Sequence, residues 1–171
     1  GPGCPVCVTG KSYIDKAIVY ARKENVIVCS YGDLLRVPGT FSSLYQEKAA
    51  GCDVRIVYSL MDALKIAREN PNHQIVFLGI GFETTAPGSA VGLLDAGKQG
   101  IDNFYLFSSH KLMPPAMDAI VENGVKLDGY MCPGHVSTIT GKEIYEHIPE
   151  QYALACVISG FEPLDILQSI L

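Results

Sequence analysis

The chain has 171 residues and a formal charge of −5, with 48% hydrophobic and 18% charged residues. That balance suits a well-buried globular protein of one ordinary domain or two small ones, and leaves no basic surface for a nucleic-acid partner. No apolar run reaches the length of a membrane span and the start carries no signal-peptide pattern, so a soluble cytoplasmic protein is expected.

The chain opens on GPGCPVCVTGKS, without a methionine, and closes on PLDILQSIL, an apolar helical pattern without a C-cap. Both ends read as internal, so a piece of a longer protein is expected. The first helix is expected over Tyr13 to Lys23, with Ile14, Ala17, Ile18 and Ala21 at helical spacing. A strand at Val26 to Cys29, a helix around Ser42 to Ala50 and a strand in DVRIVY follow. SLMDALKIAREN is a helix with Leu60, Leu64 and Ala67 on one face, stopped at Asn70-Pro71.

The rhythm continues with a strand in QIVFLGI, a helix over Pro87 to Ala96 and a strand in NFYLFSS. PPAMDAIVENG has the proline-first, glycine-last polarity of a helix. LDGYM and YALACVIS read as strands, GKEIYEHI and PLDILQSIL as helices. Continuous apolar strands alternating with helices predict an α/β fold with mainly parallel sheets covered on both faces. A division into residues 1–72 and 73–171 is expected, the turn Asn70-Pro71-Asn72 serving as the boundary. Gly-Phe-Glu recurs at GFETT and GFEPL, and Cys-Pro at Cys4 and Cys132. Two related halves and chance both account for this echo.

The chemistry-bearing residues cluster at strand exits, where open parallel sheets bind ligands. These exits are GFETT, SSHK, CPGH and GFEP, and four in succession suggest a cleft. A phosphate-binding loop is not supported: the pattern G-x-x-x-x-G-K-S/T places Pro5 where its first glycine belongs, and proline removes a donor and fixes φ. GIGFETT fails as a dinucleotide fingerprint because Thr84 stands in place of the third glycine.

Of the six cysteines, Cys29, Cys52 and Cys156 lie in apolar or inter-element segments and read as structural. Cys4 and Cys7 form a CxxC before a helix start and read best as a redox-active pair, with half of a zinc site as the alternative. His110 and Lys111 follow a strand directly, and Cys132 and His135 stand three apart, a spacing suited to one soft or borderline metal. Glu83 is read as a helix-start carboxylate, an acid/base, or a partner for Lys111. His73 and His147 read as ordinary surface residues.

GPGCPVC, GFETT, SSHKLMPPA, CPGHVS and GFEPLD, in this order, resemble the HypD family of hydrogenase maturation factors, almost from the first residue to the last. The resemblance implies Rossmann-like α/β halves around a cleft. It also implies a scaffold that assembles the Fe(CN)2CO unit of NiFe hydrogenases with the small chaperone HypC and the cyanide donor HypE, before the unit passes to the hydrogenase large subunit. Cys4 and Cys7 would then relay electrons by thiol–disulfide chemistry. Glu83, Thr84, Thr85, His110, Lys111, Cys132 and His135 would line the assembly site. The family's Cys-Gly-Thr-His motif and the cysteines of its 4Fe–4S cluster have no counterpart here. This stretch alone is therefore expected to hold no cofactor, and no firm metal ligand is assigned. The competing classes are a stand-alone thiol–disulfide oxidoreductase and a nucleotide-dependent α/β enzyme.

Overall fold

The structure, a computed structural model, describes residues 4–171. Helices and parallel strands alternate throughout, so the fold is α/β, and the described residues divide into two compact units.

The first unit comprises Pro5–Gly81 and Thr85–His110. It contains α1 (Lys11–Ala21), β1 (Val26–Ser30), a 3-10 turn (Leu34–Arg36), α2 (Leu44–Ala49), β2 (Val54–Ile56), α3 (Leu60–Glu69), β3 (Gln74–Gly81), α4 (Ala86–Lys98) and β4 (Phe104–His110). The strands form one parallel sheet in the order β2-β1-β3-β4. Alternation along the strands explains their unbroken apolar sequence. Val26 and Val28 of β1, with Val76 and Leu78 of β3, pack against α1 and Leu44 of α2. The intervening Ile27, Cys29, Ile75 and Phe77 pack against Ala63 and Leu64 of α3 and Ala96 of α4. Cys29 is fully buried, and desolvation pushes its thiol up to about 12, as expected of a structural cysteine.

Local chemistry sets the helix ends. Ser59 accepts from the Asp62 N–H at 3.2 Å while the Asp62 carboxylate accepts from the Ser59 N–H at 3.0 Å, a complete capping box for α3. Before α2, Ser43 accepts from the Gln46 N–H. Glu47 ties α2 to α1: Arg22 Nε and a terminal guanidinium nitrogen donate to its two oxygens at 2.8 and 2.6 Å, and Ser42 Oγ donates at 2.6 Å. The Arg22 hydrogen bonds first, and then that of Ser42, hold the Glu47 carboxyl at about 2, against an ordinary 4.5. A depressed folded-state value means the stabilisation is whole above about pH 4.5 and is lost as pH falls toward 2. Urea midpoints of the chain and its Glu47→Gln variant should therefore differ at pH 7 and converge through that window. A gap at pH 2 as large as the one at pH 7 contradicts the arrangement.

The second unit comprises Phe82–Thr84 and residues from Lys111 to Leu171, together with Cys4. It contains α5 (Met113–Glu122), β5 (Gly129–Pro133), α6 (Gly134–Thr140), a 3-10 turn (Glu143–Tyr145), α7 (His147–Tyr152), β6 (Ala155–Ser159) and α8 (Pro163–Ile170). β5 and β6 pair in parallel from Gly129↔Ala155 to Pro133↔Ser159. Met117, Cys132, Tyr145 and Ile148 form the buried cluster of this unit.

Two features differ from the sequence expectation. Residue 72 falls inside the first unit, because β3 pairs with β1 through Ile27↔Ile75 and its neighbours. Asn70-Pro71-Asn72 is the turn joining α3 to β3, and such a turn has the same composition as a linker. The helix expected from Gly141 is replaced by the 3-10 turn and the start of α7, and α6 forms just before it where no helix was expected. Gly141, at φ 79°, follows the end of α6. Val136, Thr138, Ile139 and Thr140 make α6 rich in β-branched residues, so its sequence does not read as helical; burial of Val136 stands in for propensity. Among the described residues no helix is long and apolar enough to cross a membrane.

Candidate functional site

In the first unit the exits of β3 and β4 lie side by side, because the two strands pair in register up to Gly81↔His110. His110 is held at both ring nitrogens. Nδ1 lies 2.9 Å from Ser108 Oγ, and Nε2 lies 3.2 Å from Ser89 Oγ on α4. Ser89 is 4% exposed, so the clamp has one buried jaw and one exposed jaw. Gly79 makes room for the ring: a Cβ there would stand 2.8 Å from His110 Cε1. Burial lowers the imidazole below its ordinary 6.5, so His110 is neutral at pH 7. A neutral imidazole donates from one nitrogen and accepts at the other, so one serine accepts a hydrogen bond from the ring and the other donates one to it.

The clamp gives a direct expectation. His110 should titrate below 6.5 by NMR, and Ser89→Ala, which leaves Nε2 without its buried partner, should change its ring shifts and tautomer balance. Unchanged His110 ring shifts in Ser89→Ala would contradict the clamp.

At the end of β3 the chain turns tightly into α4. Thr85 packs where a Gly81 side chain would stand, its Cβ 2.3 Å from an ideal Cβ on Gly81. α4 opens without a side-chain cap.

The second unit carries the remaining motif residues. Glu83 Oε1 accepts the Met113 N–H at 2.6 Å, at the first residue of α5. Leu112, the residue before this helix, supplies no side-chain cap, so a carboxylate thirty positions earlier meets one of its first N–H groups. Among the described residues, no ion pair joins Glu83 to the half-buried Lys111. Thr84 is exposed.

Cys132 and His135 sit in contrasting surroundings despite their spacing. Cys132, near the end of β5, is fully buried; desolvation first, and then the neighbouring Cys156, push its thiol up to about 12. It pairs with Ile158, which places Cys156 on the same sheet face two residues back along β6. His135 lies on α6, exposed, its ring centroid 5.2 Å from that of Phe161. Cys4 and Cys7 are both exposed, around a turn at Pro5–Val8 ahead of α1. No group of three or more His, Cys, Asp or Glu side chains placed to hold a metal ion occurs among the described residues.

Several contributors were not legible beforehand. Ser89 is one serine inside a helix, and its link to His110 is purely tertiary. His147, expected to be an ordinary surface residue, lies 2.9 Å from the Asp118 carboxylate and joins α7 to α5. The glycine-phenylalanine-glutamate echo does have a local counterpart: each copy follows a parallel strand, β3 or β6, and precedes a helix, α4 or α8.

The described residues thus define a parallel α/β protein whose polar motifs leave its sheets at the carboxyl ends of adjacent strands. The HypD family model, described as the hydrogenase formation hypA family, matches residues 1–171. The hydrogenase maturation factor HypD of Rhodobacter capsulatus is 46% identical over 172 residues, covering 100% of this chain and 46% of that protein. HypD of Escherichia coli is 47% identical over 173 residues, covering 99% of this chain and 46% of its own length. A putative hydrogenase expression/formation protein of Methanocaldococcus jannaschii is 44% identical over 171 residues, covering 100% of this chain and 48% of its own. The chain belongs to the HypD family, and it spans about half the length of these curated relatives.

Proposed function

We propose that the chain acts in hydrogenase maturation, as part of the scaffold on which an Fe(CN)2CO unit is assembled. The observation that carries this reading is the family match over residues 1–171, which spans all the motif residues at the strand exits. The iron unit is cargo, received with a HypC-like chaperone, given its cyanide groups by a HypE-like donor, and passed to the hydrogenase large subunit.

Roles follow from the chemistry of each position. Cys4 and Cys7 are exposed, as thiols that exchange with a partner must be. Their oxidation to a disulfide releases two protons and two electrons, and the electrons pass to the 4Fe–4S cluster of the assembly machinery. Cyanide nitrogens on iron need hydrogen-bond donors. Thr84, Thr85, Lys111 and His135 carry donors suited to that task. Within the first unit, His110 can offer a donor of its own by exchanging its exposed partner, Ser108, for a cyanide nitrogen while buried Ser89 keeps the ring in place. In the second unit Cys132 keeps its proton in its buried setting, and Glu83 is fixed at the start of α5.

The test is complementation. A strain lacking its own HypD-family gene should regain hydrogenase activity when given this protein as its gene encodes it. Absence of activity, with the protein folded and its companions present, would remove the assignment.

A further inference from the structure

Each serine of the His110 clamp has a hydroxyl hydrogen of its own, and only Ser108 can give its hydrogen to solvent. Ser89 Oγ is buried in α4, and among the described residues its one hydrogen-bond partner is His110 Nε2, at 3.2 Å. Serines inside helices commonly return the hydroxyl hydrogen to the carbonyl four residues back. Ser137 does so to Pro133 O at 2.9 Å, and Ser169 to Asp165 O at 2.7 Å. The Ser89 hydroxyl makes no such bond to Thr85 O, which receives only the Ser89 N–H, and turns to the ring instead.

Because the ring is neutral, the hydrogens of the clamp run in one of two directions. Running inward, Ser108 donates to Nδ1 and Nε2–H donates to Ser89. The Ser89 hydrogen is then buried without an acceptor and carries its full desolvation cost. Running outward, Ser89 donates to Nε2 and Nδ1–H donates to Ser108 at 2.9 Å. Ser108 Oγ also accepts the His110 N–H, at 3.4 Å, so both its lone pairs are engaged. Its own hydrogen is left for solvent or a ligand, and Ser108 is exposed. Only the outward direction gives every buried hydrogen an acceptor. The ring orientation follows from the same contacts, since half a turn about Cβ–Cγ would set carbons against both serines.

We propose that Ser89 is a positioning residue that holds His110 in its Nδ1–H tautomer. The outer end of the clamp, Nδ1–H and the Ser108 hydroxyl, then offers donors only. It takes a ligand atom that accepts a hydrogen bond and has no proton to give, as the nitrogen of an iron-bound cyanide does. Naming that nitrogen rests on the maturation reading above; the tautomer does not.

Nitrogen-15 NMR of the protein as encoded, labelled at histidine, reads the tautomer, because protonated and lone-pair ring nitrogens resonate far apart. Nδ1 of His110 should carry the proton and Nε2 the lone pair. The reverse pattern in the wild type overturns the proposal without any variant. Ser89→Ala should move the proton toward Nε2, the nitrogen that free histidine favours in water. Ser89→Thr, which keeps a hydroxyl, should return it to Nδ1. Ser108→Ala should leave the proton on Nδ1, because water replaces an exposed acceptor. Nδ1–H that persists undiminished in Ser89→Ala, or is lost in Ser108→Ala, overturns Ser89 as the residue that sets the tautomer. Should the threonine methyl prevent folding, the wild type, Ser89→Ala and Ser108→Ala decide the matter.

Hydrogenase activity in the complemented strain reads the consequence. Where the wild type restores activity, Ser89→Ala should lower it at least ~10-fold, and Ser89→Thr should recover it. Undiminished activity in Ser89→Ala, with its proton moved to Nε2, overturns the positioning role. A wild type that shows Nδ1–H and restores no activity would instead remove the maturation reading and leave the tautomer assignment standing.

Discussion

Replacing Cys7 with serine is expected to abolish hydrogenase maturation and leave the folded chain unchanged. Cys7 is exposed in the turn before α1, and serine differs from cysteine there by one atom. Exposed substitutions of this kind usually move stability by less than about 0.5 kcal/mol. The chemistry, in contrast, is lost entirely, because a serine hydroxyl stays un-ionised at neutral pH and forms no disulfide, so it can neither attack nor give up electrons as a thiolate does. Cys4→Ser should behave identically, and the double variant should be no worse, since one missing thiol already prevents the disulfide. Cys29→Ser supplies the contrast: it buries a hydroxyl among Ile27, Ile75 and Phe77 and should lower the melting temperature. Hydrogenase activity in a complemented strain, read beside the melting curve, checks both halves. Normal activity in Cys7→Ser would end the electron-relay role.

Gly81→Ala has the other large expected effect, and it acts through packing. An ideal Cβ at Gly81 stands 2.3 Å from Thr85 Cβ and 2.5 Å from its Oγ1. Thr85 Cβ is attached directly to the backbone where α4 begins, so no rotamer change relieves the contact. Either β3 or the start of α4 must move. Forced overpacking of this kind costs ~1–3 kcal/mol, which for a chain of this size lowers the melting temperature by roughly 2–4 °C per kcal/mol. The displacement also reaches the site, because Ser89, one turn into α4, carries the buried jaw of the His110 clamp. Altered His110 ring shifts, a lower melting temperature and loss of maturation should therefore appear together. A Gly81→Ala protein with native stability and unshifted His110 resonances would show that the turn is looser than this packing implies.

How much of this was legible in the sequence depends on whether local pattern or tertiary contact decides. β1 and β3 were readable because both their faces are buried, which leaves an unbroken apolar run. α3 was readable because its apolar face, cap and stop signal agree. α6 was not, because its residues prefer extended backbone and its helix rests on where Val136 packs. The same division runs through the site. The motifs at the strand exits announced themselves by composition, and α/β topology explains why they gather at those ends. Their partners did not. Nothing in the sequence joins Ser89 to His110 or the Glu83 carboxylate to Met113 N–H.

The central claim is that the protein carries an iron unit bearing cyanide and carbonyl groups. The measurement that tests it most directly is the infrared spectrum of the protein as encoded, purified anaerobically with the HypC-like chaperone proposed above. Iron-bound cyanide and carbonyl stretches fall where protein absorbs little. The account predicts such bands in the wild type and their loss or displacement in His110→Ala and Cys132→Ala. A spectrum without them, from a preparation that contains the proposed chaperone and cluster, would contradict the scaffold and favour a thiol oxidoreductase built around Cys4 and Cys7.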